Sequence, residues 1–297
     1  MPDPPTDLCV LADPYLMGYQ VQTIERAVAE TGLDVPLVVV NRSEGDALDP
    51  GLEAKTVNER IGFDTLRVFL DVLDRERAWT LVIAERKLAE QFGESPVADA
   101  LRRVHVDEVP SFSDADVHYV SPEHDGAWAA LPPNTVTRIG DTCDVAVRFG
   151  FGLLAGDVLN APAFGVLSFH PADLCQYRGL GAPQAWIDGR ERMGVTLQRL
   201  SEDIDGGEIV AYEEVDVREC ATLWDVYALL YGLYPSLLVD GIRTLREPSA
   251  EVTVPESLGP YYSIDTRHRL SFAGRTLAKN TMGRVRRVVQ TATDRGE

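Results

Sequence analysis

The sequence predicts an α/β fold, a mostly parallel sheet with helices on both faces and a short appendage at its carboxyl end. Apolar and β-branched runs alternate with amphipathic stretches, as expected of strands linked by helical crossovers. With 297 residues and 45% hydrophobic content, the chain can bury a sizeable core in one large domain. Beyond residue 247 the composition changes, which sets a domain over 1–247 apart from a connector and basic segment over 248–297.

Taken in order, DLCVLAD reads as a short strand. YQVQTIERAVAETG places Val21, Ile24, Ala27 and Val28 on one helical face and stops at Gly32, and VPLVVVN is a β-branched strand. Ile61, Leu66, Phe69, Leu70 and Leu73 form a helical stripe. WTLVIA, DVHYV, CDVAVRFG and FGVLSF read as further strands. MGVTLQRL and EIVAYEEVDV add two more, joined by the turn SEDIDGG. A Leu- and Tyr-rich helix then runs from Ala221 to about Leu245, and EPSAEVTVPESLGP has the Pro, Ser and Gly content of a connector.

Composition removes several function classes. No apolar run reaches the roughly 18 residues of a membrane span, and the start MPDPPTDLCV lacks a basic region followed by an apolar core. A cytoplasmic chain without membrane attachment is expected. Cys9, Cys143, Cys175 and Cys220 are scattered, with no metal-ligand spacing, so no metal is expected and the thiols read as reduced and mostly buried. The turn after the first strand lacks G-x-G-x-x-G, and no G-x-x-x-x-G-K-[ST] occurs.

The formal charge is -19, and only Lys55, Lys87 and Lys279 are lysines. Abundant carboxylates with Arg in place of Lys fit a halophile-like acidic protein kept soluble in concentrated salt. The same balance argues against general nucleic-acid binding, which needs cations to neutralise phosphates. Residues 267–297 reverse it, with a net charge of +6. A basic helix there is expected to dock on the acidic body or on a second copy, forming a homodimer through the carboxyl segment. Capture of a phosphate-bearing substrate is the alternative.

The most informative stretch is GVLSFHPADLCQYRG, residues 165–179. Pro171 removes a ladder donor and ends the strand, so His170 is placed at the carboxyl edge of the sheet, where open α/β sheets bind ligands. CQYRGLGAP supplies a Gly-rich loop, and SEDIDGG brings Asp205 to a turn from which a carboxylate can reach the imidazole. Such a pair serves general acid chemistry or oxyanion stabilisation. Asp205 could equally cap its own turn. Ser168, His170 and Asp205 also invite a hydrolase reading. However, Ser168 and His170 share one face of one strand, a poor arrangement for nucleophile and base, and no G-x-S-x-G elbow is present.

His170-Pro171, Leu174, Tyr177-Arg178-Gly179, Gly194-Val195-Thr196 and Asp205-Gly206-Gly207 together resemble the catalytic region of the folate-dependent formyltransferases. That family includes glycinamide ribonucleotide, methionyl-tRNA and sugar-amine formyltransferases. The resemblance covers a motif core over 143–245 and implies a Rossmann-like formyltransferase fold. It also implies transfer of a formyl group from N10-formyltetrahydrofolate to a small-molecule amine, a sugar nucleotide being one candidate. By position, His170 is implied to stabilise or protonate the tetrahedral oxyanion, Asp205 to orient it, and Ser168 to stand where the family places its oxyanion-holding Asn. Phe151, Leu153 and Leu154, with Asp203 and Ile204, are implied to hold the pterin, although those apolar residues could equally be core. Tyr177, Arg178 and Gly179 are implied on the substrate side. Ser168, Ala172, Asp173 and Cys175 depart from the family motif. The resemblance also extends to a related deformylase, so hydrolysis of the folate by the same residues is an alternative, and the departures leave ligand binding without turnover as another.

Overall fold

In the computed structural model of the chain, residues 3–42, 50–58, 63–93, 95–247 and 252–294 are described. The principal elements run as follows: β1 (Asp7–Ala12), α1 (Gly18–Thr31), β2 (Asp34–Asn41), α2 (Pro50–Asn58), α3 (Phe63–Glu76) and α4 (Thr80–Gln91). Next come β3 (Asp116–Val120), α5 (Pro133–Thr142), β4 (Val145–Arg148) and β5 (Val166–His170). The last are α6 (Ala182–Ile187), β6 (Arg192–Arg199), β7 (Glu208–Asp216), α7 (Leu223–Arg246) and α8 (Leu270–Asp294).

Seven strands form one sheet in the order β7-β6-β5-β4-β1-β2-β3. β5, β4, β1, β2 and β3 are parallel, whereas β6 and β7 are antiparallel additions at one edge. Leu8 to Ala12 are all buried, as expected of a central parallel strand covered on both faces. Leu8, Val10 and Ala12 pack with Ile24 of α1 and Leu238 and Ile242 of α7. Cys9 and Leu11 pack on the opposite face with Ile139 of α5. The expected α/β architecture with helices on both faces is therefore present. Helix α1 stops where expected, with Gly32 in the left-handed region at φ 65°. Among the described residues, no helix is long and apolar enough to cross a membrane.

One element differs from its sequence reading. WTLVIA was expected as a strand, but Thr80 onward is the helix α4, preceded by a single helical turn at Arg77–Trp79. A six-residue apolar run does not distinguish a strand from a buried helix segment by periodicity alone. Packing decides: Trp79, Val82 and Arg86 are buried at helical spacing, with Trp79 against Phe272 and Arg86 over Trp224. Of the neighbouring stripe, Phe69 is half-buried, Leu70 and Leu73 are exposed, and Ile61 lies outside the described residues, as does the side chain of Leu66.

The basic carboxyl segment docks on its own chain. Phe272 and Ala273 of α8 are buried, and Asn280 is fully buried. The Asn280 carboxamide accepts from Leu223 N at 2.9 Å, using a donor that the first turn of α7 leaves free. Glu85 gathers three donors from two further directions, Trp224 Nε1 at 2.8 Å, Asn280 Nδ2 at 3.2 Å and Arg284 Nη2 at 2.7 Å. Lys279 donates to the Trp186 carbonyl and lies over its ring.

Candidate active site

The carboxyl edge of the sheet carries a row of polar side chains that pairing puts on one face. Ser168 of β5 is opposite Arg148 of β4 and Gln198 of β6, and His170 is opposite Thr196. Phe169 points the other way, where it stacks between Phe149 and Tyr234. The period of two along a strand thus separates an aromatic core face from a polar site face.

His170 is buried, with 4% of its surface exposed. Its Nε2 donates to the Tyr177 carbonyl at 2.8 Å, and its Nδ1 lies 3.4 Å from Asp205 Oδ1. Both partners are acceptors, so a ring with protons on both nitrogens satisfies both contacts. Neither nitrogen faces open space in this arrangement, because the loop after Pro171 folds back over the ring. Gly181 lies close enough that a Cβ there would sit 3.4 Å from Nε2.

Asp205 is held from three sides. Gly179 N donates to Oδ2 at 2.7 Å, and Gln198 Nε2 reaches Oδ1 at 3.4 Å, beside His170. Its backbone is left-handed, with φ 49°, a conformation costing a non-glycine residue on the order of 1 kcal/mol and kept only where contacts over-determine it. Burial works to raise its pKa, but the hydrogen bond and charge of His170 outweigh this and hold the carboxyl below the usual range. Arg178 secures the same turn, with Nη1 donating to Ile204 O at 3.3 Å and Nε to Gly259 O at 2.9 Å.

The sequence-implied residues divide into two groups. Ser168, His170, Asp205, Tyr177, Arg178 and Gly179 meet in one cluster. Tyr177 covers His170 with its carbonyl, and burial pushes its phenol up to about 12. Phe151 and Leu154 are buried in the core with Leu11 and Ile139, whereas Leu153 and Ile204 are half-buried and Asp203 is exposed. The stretch before Leu153 runs hard against the end of β1, where a Cβ on Gly150 would lie 2.4 Å from Asp13 N.

Sequence reasoning missed Arg148 and Gln198. Arg148 donates to Ser168 Oγ through Nη2 at 2.8 Å and Nε at 3.2 Å, and through Nη1 to the Gly152 carbonyl. Burial lowers its pKa, opposed by the charges of Asp205 and Asp13. Gln198 accepts from Gly207 N at 3.1 Å and so ties β6 to the Asp205 turn. The available signal was a single Arg ending the otherwise apolar strand VAVR, level with the carboxyl ends of its neighbours.

Pro171, Gly179 and Leu180 also line a cavity of about 620 Å³, within the range of small-molecule sites. Trp79, Trp224, Tyr227 and Tyr231 contribute its aromatic wall. Among the described residues, each of its cations faces a carboxylate: Arg75 and Arg103 face Glu53, Arg86 and Lys87 face Glu90, and Arg267 faces Glu76.

The fold and the cluster define an α/β protein with a buried His–Asp site at the carboxyl edge of a mostly parallel sheet. Residues 139–241, which contain that site, match the family described as formyl transferase. A methionyl-tRNA formyltransferase of Natranaerobius thermophilus is 33% identical over 97 residues, 32% of this chain and 31% of that protein. A methionyl-tRNA formyltransferase of Rickettsia rickettsii is 28% identical over 132 residues, 42% of this chain and 43% of that protein. The chain therefore spans less than half the length of these curated relatives. A sugar N-formyltransferase from a Shewanella species shares the fold, with a TM-score of 0.53, 13% identity, and coverage of 92% of this chain and 88% of that one.

Proposed function

We propose that the chain is a folate-dependent formyltransferase that moves a formyl group from N10-formyltetrahydrofolate to an amine of a small molecule. The observation that carries this reading is the buried imidazole of His170, set between Asp205 and the Tyr177 carbonyl inside the family-matched region. N10-formyltetrahydrofolate would supply an activated formyl carbon. The residues fit its pterin in part: Asp203, Ile204 and Leu153 remain accessible, while Phe151 and Leu154 are in the core and leave the backbone of 151–153 as the contact.

The chain's own groups divide the chemistry. His170 holds a proton against the formyl oxygen as that oxygen gains charge, and Asp205 keeps the ring in place. The proton lost by the attacking amine would pass through the same pair to N10 of the folate, which leaves as its bond to the formyl carbon breaks. Because Nε2 is covered by the Tyr177 carbonyl, a working site needs the 171–181 loop displaced. That cover is also what favours a second reading, in which the site binds folate without turnover.

The acceptor is narrowed by the cavity beside Leu180. Among the described residues its cations are already matched to carboxylates, and aromatic rings line its wall. This supports an amine on an apolar body over a sugar nucleotide, whose phosphates would need free positive charge there. The outer face of α8 exposes Met282, Val285, Val288 and Val289, which supports pairing of two copies through this segment.

The deciding experiment supplies N10-formyltetrahydrofolate and a panel of apolar amines and amino-sugar nucleotides in concentrated salt, with the folate product followed by absorbance. Amine-dependent consumption is expected. Consumption without amine would replace transfer by hydrolysis, and binding without consumption would leave only the folate-binding reading.

A further inference from the structure

We propose that Arg148 is a positioning residue that makes the Ser168 hydroxyl a hydrogen-bond donor to the reacting oxygen, so that the two residues together fill the place of the family's Asn. The inference rests on the formyl-transfer reading above. A serine hydroxyl has one hydrogen to give and two lone pairs to accept with. Arg148 meets Oγ with two N–H groups, at 2.8 and 3.2 Å, which occupies both lone pairs. Ser168 is 1% exposed, and among the described residues no acceptor is found for its own hydrogen. A buried, undirected O–H is costly to leave unused. It lies on the same face as His170, two residues away along β5.

Charge makes the arrangement chemically different from an isolated serine. Hydrogen bonds from a guanidinium are roughly twice as strong as neutral ones and draw electron density from the oxygen they bind, which strengthens the O–H as a donor. Arg148 is itself fixed, its third contact going to the Gly152 carbonyl. The fields of Asp205 and Asp13 favour its charged form against burial. A carboxamide needs no such help, since its NH2 donates directly. The shorter, weaker donor at 168 and the arginine at 148 are therefore one device, contributed by adjacent strands.

The test compares Arg148→Met, Ser168→Asn and the double substitution, measuring kcat and KM for the folate with an amine that the unaltered chain accepts. Arg148→Met is expected to lower kcat on the order of 100-fold, the scale of a lost oxyanion donor, with KM within about threefold. In the Ser168→Asn background, where the carboxamide donates unaided, removing Arg148 should cost less than about threefold. A merely structural arginine would cost the same in both backgrounds, and that result overturns the proposal, as does an unchanged kcat in Arg148→Met. If Arg148→Met does not fold, Arg148→Lys replaces it. Lysine can serve one lone pair, so an intermediate kcat with Ser168 and no effect in the Ser168→Asn background is expected; equal losses overturn the proposal. If the unaltered chain consumes no formyl donor with any amine, the formyl-transfer reading fails first and the pairing falls with it. That outcome is distinguishable from an active enzyme indifferent to residue 148.

Discussion

His170 and Asp205 are separated by 34 residues of chain but face each other at 3.4 Å, on a strand end and in a turn. The turn is committed to that contact by a left-handed Asp205 backbone and by Gly179 N on the second carboxylate oxygen. Asp205→Asn keeps the shape and removes the charge. It is expected to lower kcat on the order of 100-fold or more while folate binding, measured by fluorescence quenching, changes little. An unchanged kcat would remove Asp205 from the mechanism.

The same contact fixes a pH dependence of stability. The carboxyl of Asp205 titrates below its unfolded value of about 3.9, so its stabilising contribution is present above that pH and is lost as pH falls through the lower, folded value. Melting curves of the unaltered chain and Asp205→Asn should differ most above about pH 4 and converge as pH falls through the lower, folded value. A constant gap across that window would contradict the depressed titration.

Gly179 has two reasons to be glycine, a φ of 74° and a backbone so close that a Cβ would lie 2.2 Å from the Tyr262 carbonyl. Gly179→Ala is expected to destabilise by about 1–3 kcal/mol, read from urea unfolding, and to lower activity with it because the Gly179 N–H positions Asp205. A neutral effect on both readouts would show that the 261–262 segment is not bound there.

Asn280 anchors the final helix. Asn280→Ala leaves Leu223 N without its acceptor and should cost about 1–3 kcal/mol. Limited proteolysis should then cut within 270–294 sooner than in the unaltered chain. Unchanged cleavage would argue that Phe272 and the Glu85 contacts suffice.

The charge of -19 predicts a salt requirement. Carboxylate repulsion is screened within about 3 Å at 1 M salt and within about 10 Å at 0.1 M. A loss of about 2 kcal/mol on dilution would lower Tm by roughly 4–8 °C, measurable by calorimetry. A Tm independent of salt would detach the composition from any such adaptation.

The parallel strands were legible because burial on both faces leaves nearly continuous runs such as LCVLA and VPLVVV, and α1 because its apolar spacing ends at a glycine. His170 was legible as a polar residue at the end of such a run, before a proline. Trp79 to Ala84 was misread because its helical face shows only against α8, a partner nearly 200 residues away. Arg148 and Gln198 escaped notice for a related reason. Their significance lies in the strand order, which sets β4 and β6 on either side of β5, and no local pattern announces that neighbourhood. Phe151 and Leu154 could be read as wall or core from sequence, and the tight passage over β1 puts them in the core.

The short pairing of Arg178–Gly179 with Tyr261–Tyr262 has a consequence during synthesis. Gly179 holds Asp205, and Asp205 faces His170, so a contact made by a late segment stands behind geometry encoded much earlier. A ribosome that has just delivered residue 245 carries every signature residue of the motif, yet the nascent protein lacks the strand that seats them. Competence would therefore arrive abruptly, with the emergence of two tyrosines, rather than accumulate as the chain lengthens.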